Sequence, residues 1–111
     1  MTVSTHVLDA SAGQPAAGVA VSLSFAGPSG GWVPVEPGET DGDGRHRFVA
    51  VVTAGVYRLV FGTGAYFEAR GVAAFYPEVV ITFTVSGSGS GGHYHVPLLL
   101  SPFAYSTYRG S

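Results

Sequence analysis

The sequence of 111 residues contains no cysteine, no lysine and no asparagine, and the first two absences each exclude a kind of chemistry. Without cysteine there is no disulfide scaffold, no thiolate zinc site and no thiol nucleophile. Without lysine the chain can neither build a phosphate-binding P-loop nor form a Schiff base with a carbonyl substrate. Any chemistry must therefore rest on other side chains.

Charge is also scarce. Five arginines and seven carboxylates amount to 11% of the chain, against about 25% in an ordinary soluble domain. The net charge of −2 lacks the basic footprint of a nucleic-acid-binding protein, so we expect no nucleic-acid partner. A folded monomer of this mass exposes roughly 5,800 Å². Because so few charges cover that area thinly, we expect other subunits to cover part of the surface, although codon bias in a GC-rich genome would produce the same composition.

The sequence contains no apolar run of the roughly 18 residues that are needed to cross a membrane. Residues 1–6 have neither the basic region nor the apolar core of a signal peptide. We therefore expect a cytoplasmic protein without a membrane partner.

Short alternating apolar segments, separated by 17 glycines and 7 prolines, indicate an all-β sandwich or barrel. The alternation is clearest where Val19, Val21, Leu23 and Phe25 share one face. The pattern predicts a single domain, residues 1–111, with strands at 2–9, 19–25, 32–35, 45–52, 56–61, 78–85, 94–100 and 104–108. Pro34 places its strand at a sheet edge.

One short helix is predicted at 65–70, with Thr63 as its N-cap and Gly71 at its end. The Gly/Ser-rich segment 86–92 has almost no side chains that can pack, so we predict a linker there. The chain shows no internal repeat.

Four histidines, His6, His46, His93 and His95, can titrate near neutral pH. In a strand, His93 and His95 point to the same face, about 6 to 7 Å apart. Such a pair can bind a metal when a third ligand, for example His6, reaches it from another strand. A half-exposed polar face is the commoner explanation of an isolated His-x-His in a β protein. No acidic residue lies near the pair in sequence, so we expect no metal.

Arg45 and Arg47 share one face of a strand that begins after the turn at 40–44. A guanidinium at a strand end can bind an anionic oxygen bidentately, but an ordinary solvated strand end explains the pair equally well. The turn is only superficially similar to a calcium loop, because it lacks the full Asp-x-Asp-x-Asp-Gly spacing and the distal glutamate.

The C-terminal residues are polar and aromatic, whereas most chain ends are plain and frayed. Tyr105, Tyr108, Arg109 and Ser111 stand close together, and Gly110 allows the backbone to approach other groups closely. The segment is either an edge strand held by tyrosine rings or a terminus that lines a site.

Several motifs in combination resemble the transthyretin-related family, and within it the 5-hydroxyisourate hydrolases. The matching motifs are Ser-Thr-His-Val-Leu-Asp at 4–9, Gly-Gln-Pro-Ala at 13–16, Asp-Gly-Arg at 43–45, Phe-Tyr-Pro-Glu at 75–78, His-Tyr-His-Val-Pro-Leu at 93–98 and Tyr-Arg-Gly-Ser at 108–111. The terminal motif resembles the feature that separates the hydrolases from the hormone-carrying transthyretins. Two departures are Ala104, where the family commonly has glycine, and the segment 86–92, which replaces a loop that is often more charged.

The resemblance implies a transthyretin-like sandwich of two four-stranded sheets with one short helix, assembled as a homotetramer with active sites between dimers. It implies hydrolysis of 5-hydroxyisourate to 2-oxo-4-hydroxy-4-carboxy-5-ureidoimidazoline in urate degradation, without a cofactor or metal. The implied site residues are catalytic His6, Arg45, His95 and Ser111 and substrate-binding Tyr108, Arg109 and Gly110. His93 belongs to the motif but is a weaker candidate.

Opening a cyclic amide requires a base for water, a donor for the developing oxyanion and an acid for the leaving nitrogen. Two histidines can divide the base and acid roles, in an order that the sequence leaves open, and Arg45 can hold the substrate oxygens. Ser111 is expected to position substrate or water, since no base adjoins it. The alternatives are a tetramer that carries a small hydrophobic ligand in its channel and a His-x-His metalloenzyme.

Overall fold

The computed structural model describes residues 1–87 and 92–111, most of which form two β-sheets. The first sheet contains β1 (Thr2–Asp9), β2 (Gln14–Pro15), β5 (Arg45–Arg47), β8 (His93–Leu100) and β9 (Tyr105–Thr107). The second contains β3 (Ala20–Ala26), β4 (Trp32–Glu39), β6 (Gly55–Phe61) and β7 (Val79–Val85). Within the described ranges there is one helix, α1 (Thr63–Glu68), which follows β6.

The predicted sandwich of two sheets with one short helix is confirmed, with one difference in strand number. The first sheet has five strands instead of four. The additional strand, β2, has only two residues and pairs with the end of β1, Leu8 opposite Pro15 and Asp9 opposite Gln14. The sequence gives no apolar alternation there, so this short pairing depends on the tertiary fold.

Three segments that are distant in sequence meet in the first sheet. β1 runs parallel to β8 over its whole length, from Thr2 opposite His93 to Asp9 opposite Leu100. Along its other edge β1 pairs antiparallel with β5, which sets His6 opposite Arg45. Side chains of β1, β5 and β8 therefore share one face of the sheet.

The two sheets enclose a common apolar core. Strand alternation turns Val3 and Val7 of β1 and Leu98 of β8 inward, where each is fully buried. Leu23 of β3 and Leu59 of β6 meet them from the second sheet. Burying a side chain of this size stabilises the fold by about 1.5–3 kcal/mol. The core thus packs against the inner face of the first sheet and leaves its outer face open to other groups.

The predicted strand at 45–52 is wrong in its second half, because β5 ends at Arg47. The backbone amides of Val49 and Ala50 turn to the carboxylate of Glu36, with N···O distances of 2.8–3.1 Å. They are therefore unavailable to a ladder with β1, although Phe48 still donates to the carbonyl of Val3. A side chain from the other sheet has replaced regular strand pairing.

The predicted cap of the helix is also wrong. Gly62 occupies the N-cap position without a side-chain cap, and Thr63 lies inside the first turn. The helix ends at Glu68, and Gly71 follows with a φ of 69°, which glycine tolerates readily. Buried Tyr66 and Phe67 anchor the helix to the core, so tertiary packing rather than capping holds it.

Another prediction concerns the strand that contains Pro34. β4 lies at the edge of its sheet, as Pro34 predicts, but continues to Glu39.

The predicted linker at 86–92 falls largely on residues 88–91, which lie outside the described ranges. No helix in the described part of the chain is long and apolar enough to span a membrane.

Candidate active site

One end of the outer face of the first sheet is lined with polar side chains. Alternation along β1 places Thr2, Ser4 and His6 on this face. Because β8 is parallel to β1 and in register, His93 lies beside Thr2 and His95 beside Ser4. The prediction that His93 and His95 share a face agrees with this register.

A continuous chain of side-chain hydrogen bonds joins four of these residues. Ser4 Oγ lies 2.7 Å from Nε2 of His93 and 2.8 Å from Nδ1 of His95. Thr2 Oγ1 lies 2.6 Å from the other nitrogen of His93, Nδ1. Both ring nitrogens of His93 are thus engaged within the chain, whereas Nε2 of His95 remains available to a substrate.

Arg45 reaches the same face because of the turn that precedes β5. The carboxylate of Asp41 accepts hydrogen bonds from the backbone amides of Asp43 and Arg45, which closes the turn. Gly44 has a φ of 76°, and a Cβ there would collide with the carbonyl oxygen of Val7. The glycine therefore lets the turn pack tightly against β1, which brings Arg45 opposite His6.

The C-terminal residues run back along β8. The amide of Gly110 donates to the carbonyl of His95 at 2.9 Å. A Cβ on Gly110 would lie 2.6 Å from Cδ2 of the His95 ring, so only glycine fits there without displacing the ring. This close approach carries Ser111 to the polar end of the sheet face.

These groups surround an open cavity of about 380 Å³. Its walls are formed by Ser4, Thr5, Arg45, His46, Arg47, His93, His95 and Ser111. Three of the four predicted catalytic residues, Arg45, His95 and Ser111, thus meet in one cavity. The fourth, His6, is not in the cavity wall, but it lies between Arg45 and Pro97 in the sheet.

The surroundings of His95 favour its neutral form. Burial lowers the pKa of His95 below its ordinary value of 6.5, and the positive charges of His93, His6 and Arg45 lower it further. A neutral imidazole with a free Nε2 can accept a proton at neutral pH. The structure thus places an imidazole whose neutral form is favoured near the guanidinium of Arg45.

Tyr108 and Arg109 do not line the cavity in which Arg45, His95 and Ser111 meet. They line a second cavity of about 350 Å³ together with Ile81 and Phe83, and His95 borders both cavities. The Arg109 guanidinium lies 4.6 Å from the centre of the Tyr94 ring. In the single chain these contacts hold the terminal segment, and the predicted contact of Tyr108 and Arg109 with substrate stays a prediction.

His46 alternates with Arg45 and Arg47 and turns the other way. Its ring packs edge-on against Phe48 at 4.6 Å, and its Nε2 lies 3.9 Å from a carboxylate oxygen of Glu36. Across the described ranges no three His, Asp or Glu residues are arranged to hold a metal ion.

Sequence reasoning missed the role of Ser4 and Thr2 in this site. Ser4 appeared only as part of a motif, because nothing in the sequence shows that β1 lies parallel to β8. The usable signal was the period of two in Thr2-x-Ser4-x-His6, which matches that of His93-x-His95. Knowing which strands pair would have joined the two patterns.

The fold and the cavity together define a class: two-sheet β-sandwich proteins with a histidine–arginine site on the outer face of one sheet. The chain belongs to the HIUase/Transthyretin family, whose model matches residues 3–110.

Individual relatives agree with this assignment. The chain is 46% identical to a 5-hydroxyisourate hydrolase of Caulobacter vibrioides, covering 98% of this chain and 97% of the relative. It is 44% identical to one of Salmonella typhimurium, covering 98% and 80%. Among solved structures it is similar to Klebsiella pneumoniae 5-hydroxyisourate hydrolase (TM-score 0.87, 40% identity, 100% of both chains). It is also similar to sea bream transthyretin in complex with thyroxine (TM-score 0.92, 35% identity, 97% and 93%).

Proposed function

We propose that this protein hydrolyses 5-hydroxyisourate to 2-oxo-4-hydroxy-4-carboxy-5-ureidoimidazoline, a step of urate degradation. The observation that carries the proposal is the cavity in which Arg45, His95 and Ser111 meet, with His6 beside it. Relatives of similar length that are named 5-hydroxyisourate hydrolases support the same substrate. They favour hydrolysis over the transport of a hydrophobic ligand, for which a cavity lined by imidazole and guanidinium groups is poorly suited.

The proposed reaction opens a lactam by attack of water on its carbonyl carbon. Nε2 of His95 removes a proton from the water as the new C–O bond forms, and Arg45 stabilises the oxyanion. The C–N bond then breaks, and a protonated His6 gives its proton to the leaving nitrogen. The terminal Ser111 positions the substrate or the water. No covalent intermediate with the enzyme is needed.

We further propose a homotetramer in the cytoplasm, with active sites between dimers. Apolar side chains on the first sheet and its last turn support assembly, since Phe103 is 68% exposed and Tyr108 59% exposed in the single chain. The low charge, 11% of the residues, points the same way. Within such an assembly, Tyr108, Arg109 and Gly110 would complete the substrate-binding site.

The test of the function is spectroscopic. Freshly prepared 5-hydroxyisourate should lose its ultraviolet absorbance faster with the protein than in buffer, and a chelator should not slow the reaction. A decay equal to that in buffer would refute the proposal, and a loss of activity with the chelator would favour the metalloenzyme.

Alanine variants test the assignment of the site. His6→Ala, Arg45→Ala and His95→Ala should each lower kcat/KM by about 10²-fold or more. His46→Ala is the matched control: the residue borders the cavity, but its ring packs edge-on against Phe48 and its Nε2 lies 3.9 Å from the carboxylate of Glu36, away from the polar face. Equal losses in His46→Ala and His95→Ala would show that the site is assigned to the wrong residues.

A further inference from the structure

We propose that Arg47 is a second substrate-binding cation, which binds one ring of an anionic oxidised purine while Arg45 binds the other. The inference rests on the proposed hydrolysis and extends it in two ways. It names the charge state of the substrate, a monoanion, and it adds a residue outside the assigned site. Arg47 moves no proton in this scheme, so it contributes to KM, whereas Arg45 also stabilises the oxyanion during the reaction.

The strand register places Arg47 in the same row of the sheet as the proposed base. In the antiparallel pairing of β5 with β1, Arg45 lies opposite His6 and Arg47 lies opposite Ser4. Ser4 lies in turn beside His95, through the parallel pairing of β1 with β8. Arg47, Ser4 and His95 thus form one row across three strands, next to the row that begins with Arg45 and His6.

The spacing of the two arginines suits a bicyclic ligand. Residues two apart in a strand are separated by roughly 7 Å, which is comparable to the distance between oxygens on opposite rings of an oxidised purine. Both arginines line the open cavity of about 380 Å³, and Ser4 lines it between Arg47 and His95. Because the side chain of Ser4 is short, it leaves space for a flat ring between the two longer side chains.

The fold gives Arg47 no anionic partner in the described ranges. The one ion pair among those residues joins His46 to Glu36, so no carboxylate there pairs with Arg47. Arg45 differs: its backbone amide donates to the carboxylate of Asp41 and lowers the pKa of that group, and its positive charge lowers it further. Arg47 can therefore bind an anionic oxygen with both arms of its guanidinium without giving up a contact within the chain.

The charged groups of the cavity favour an anion over a neutral ligand. Two of the five arginines of the chain lie in the cavity wall, against a single carboxylate, the C-terminus at Ser111. The chain as a whole has a net charge of −2, so this positive excess is confined to the cavity. A ligand with one delocalised negative charge would balance it, and a concave site strengthens that attraction.

Arg45 and Arg47 differ in their effect on the proposed base. Burial lowers the pKa of His95, and the charges of His93, His6 and Arg45 lower it further, whereas the charge of Arg47 does not contribute. Removing Arg47 should therefore leave the protonation of His95 as it is. The two arginines thus divide their roles: Arg45 acts on the base and on the reacting carbonyl, and Arg47 acts on affinity.

The kinetic test uses Arg47→Ala. We expect KM for 5-hydroxyisourate to rise about tenfold, the result of losing a hydrogen bond between charged groups, with little change in kcat. Arg47→Lys keeps the charge but not the planar fork, so it should recover part of the affinity. Arg70→Ala is the matched control for net charge and should resemble the wild type, because its guanidinium lies 3.8 Å from the centre of the Tyr66 ring, outside the cavity.

Two results would overturn the assignment. An unchanged KM in Arg47→Ala, or a fall in kcat as large as the expected rise in KM, would mean that Arg47 does not bind the substrate in the way proposed. A change of oligomeric state in light scattering would make Arg47 an interface residue instead.

A second measurement does not depend on catalysis. Urate is a stable purine that is a monoanion at neutral pH, whereas hypoxanthine is a neutral purine. In isothermal titration calorimetry, Arg47→Ala should weaken the binding of urate about tenfold and leave that of hypoxanthine unchanged. Equal losses for both ligands, or no loss for urate, would refute the anion-binding role. A wild type that fails to hydrolyse 5-hydroxyisourate refutes the proposed function, whereas an active wild type whose KM and urate affinity are unchanged in Arg47→Ala refutes only the second cation.

Discussion

The outer face of the first sheet is divided into a polar half and an apolar half. The two halves share the same strands but differ in the polarity of their side chains. The polar half consists of Thr2, Ser4, His6, His93 and His95, and the apolar half of Leu8, Pro97 and Leu99. In the polar half, hydrogen bonds of 2.6–2.8 Å fix the side chains within one chain. In the apolar half, Leu8 and Leu99 remain 37% and 36% exposed.

This difference separates side chains that are held within the single chain from exposed side chains that another molecule could cover. The same parallel pairing of β1 and β8 supports both halves, so backbone stability does not distinguish them. Hydrogen bonds within the chain hold Thr2, Ser4, His93 and His95 in place, and the remaining ring nitrogens can bind a ligand in water. The apolar half gains free energy only when another apolar surface covers it, at roughly 25 cal/mol per Å². This difference supports the proposal that the first half carries the chemistry and the second half takes part in assembly.

The largest expected effect comes from placing charge in the apolar half. The double variant Leu8→Glu/Leu99→Glu should abolish the proposed tetramer, because every subunit would bring carboxylates to the proposed interface, where they would be buried. Activity should disappear with assembly, since the proposed sites lie between dimers. Size-exclusion chromatography with light scattering measures the species, and the absorbance assay measures activity.

Val80→Glu is the control for this experiment. Val80 is similarly exposed, 37%, but lies on the second sheet. It should leave the tetramer and its activity intact. A Leu8→Glu/Leu99→Glu protein that remains tetrameric would show that the apolar half is not an interface.

The next-largest expected effect concerns Arg45, the cation that lies opposite His6 of the polar half. Arg45→Ala should lower kcat/KM by about 10²–10³-fold, the usual result of removing one oxyanion donor. The matched control is Arg58→Ala in β6, whose guanidinium lies 4.5 Å from the Trp32 ring centre on the other sheet. Comparable losses in both variants would point to a general effect of net charge instead of a role in the site.

Local patterns in the sequence predicted most of the strands and part of the site. The bounds of β1, residues 2–9, follow directly from alternation, and the pair His93 and His95 follows from the period of two. The role of Ser4 could not be predicted, because its partners lie about 90 residues away across a parallel pairing that local patterns do not encode. The end of β5 was missed for a similar reason, since the carboxylate of Glu36, which takes the amides of Val49 and Ala50, comes from another sheet.

A smaller effect is expected from the terminal glycine that packs on the polar half. Gly110→Ala would place a Cβ against the His95 ring, so the ring or the terminal segment must move. A shift of about 1 Å in a catalytic group can cost on the order of 10²-fold, and we expect a loss near or below that value in kcat/KM. Gly31→Ala is the control, because nothing lies within 4 Å of its Cβ position. Wild-type kinetics in Gly110→Ala would mean that the close packing on His95 has no catalytic value.

The pH dependence of activity sharpens the assignment of His95 as base. Burial and then the charges of His93, His6 and Arg45 lower its pKa below the ordinary 6.5, so its neutral form persists into weakly acidic solution. The acidic limb of kcat/KM should have its midpoint below 6.5 and fall about tenfold per pH unit beneath it. Ring resonances of His95 followed by NMR titration should give the same midpoint. A limb centred above 6.5 would indicate that His95 is not the base.

The smallest expected effect lies outside both halves, at the inward-facing end of β1. Tyr66 donates a hydrogen bond of 2.8 Å to the buried carboxylate of Asp9, which ties α1 to the first sheet. Burial alone would raise the pKa of Asp9, but hydrogen bonds from Ser11, Tyr66 and Ala12 outweigh it and lower the pKa below 3.8. Because the folded-state pKa is lowered, this contribution to stability is present above pH 3.8 and is lost as the pH falls through the folded-state value.

Tyr66→Phe should therefore lower the free energy of unfolding by about 2 kcal/mol at neutral pH, the usual contribution of a hydrogen bond to a charged group. The difference from the wild type should shrink as the solution is acidified below the pKa of Asp9. Urea unfolding at several pH values measures both. Because neither residue contacts the polar half, kcat/KM should stay at the wild-type value under conditions where the variant is folded. A catalytic defect in the folded variant would instead mean that the contact between Tyr66 and Asp9 affects the histidines of the polar half. Stability and chemistry would then not be separate along β1.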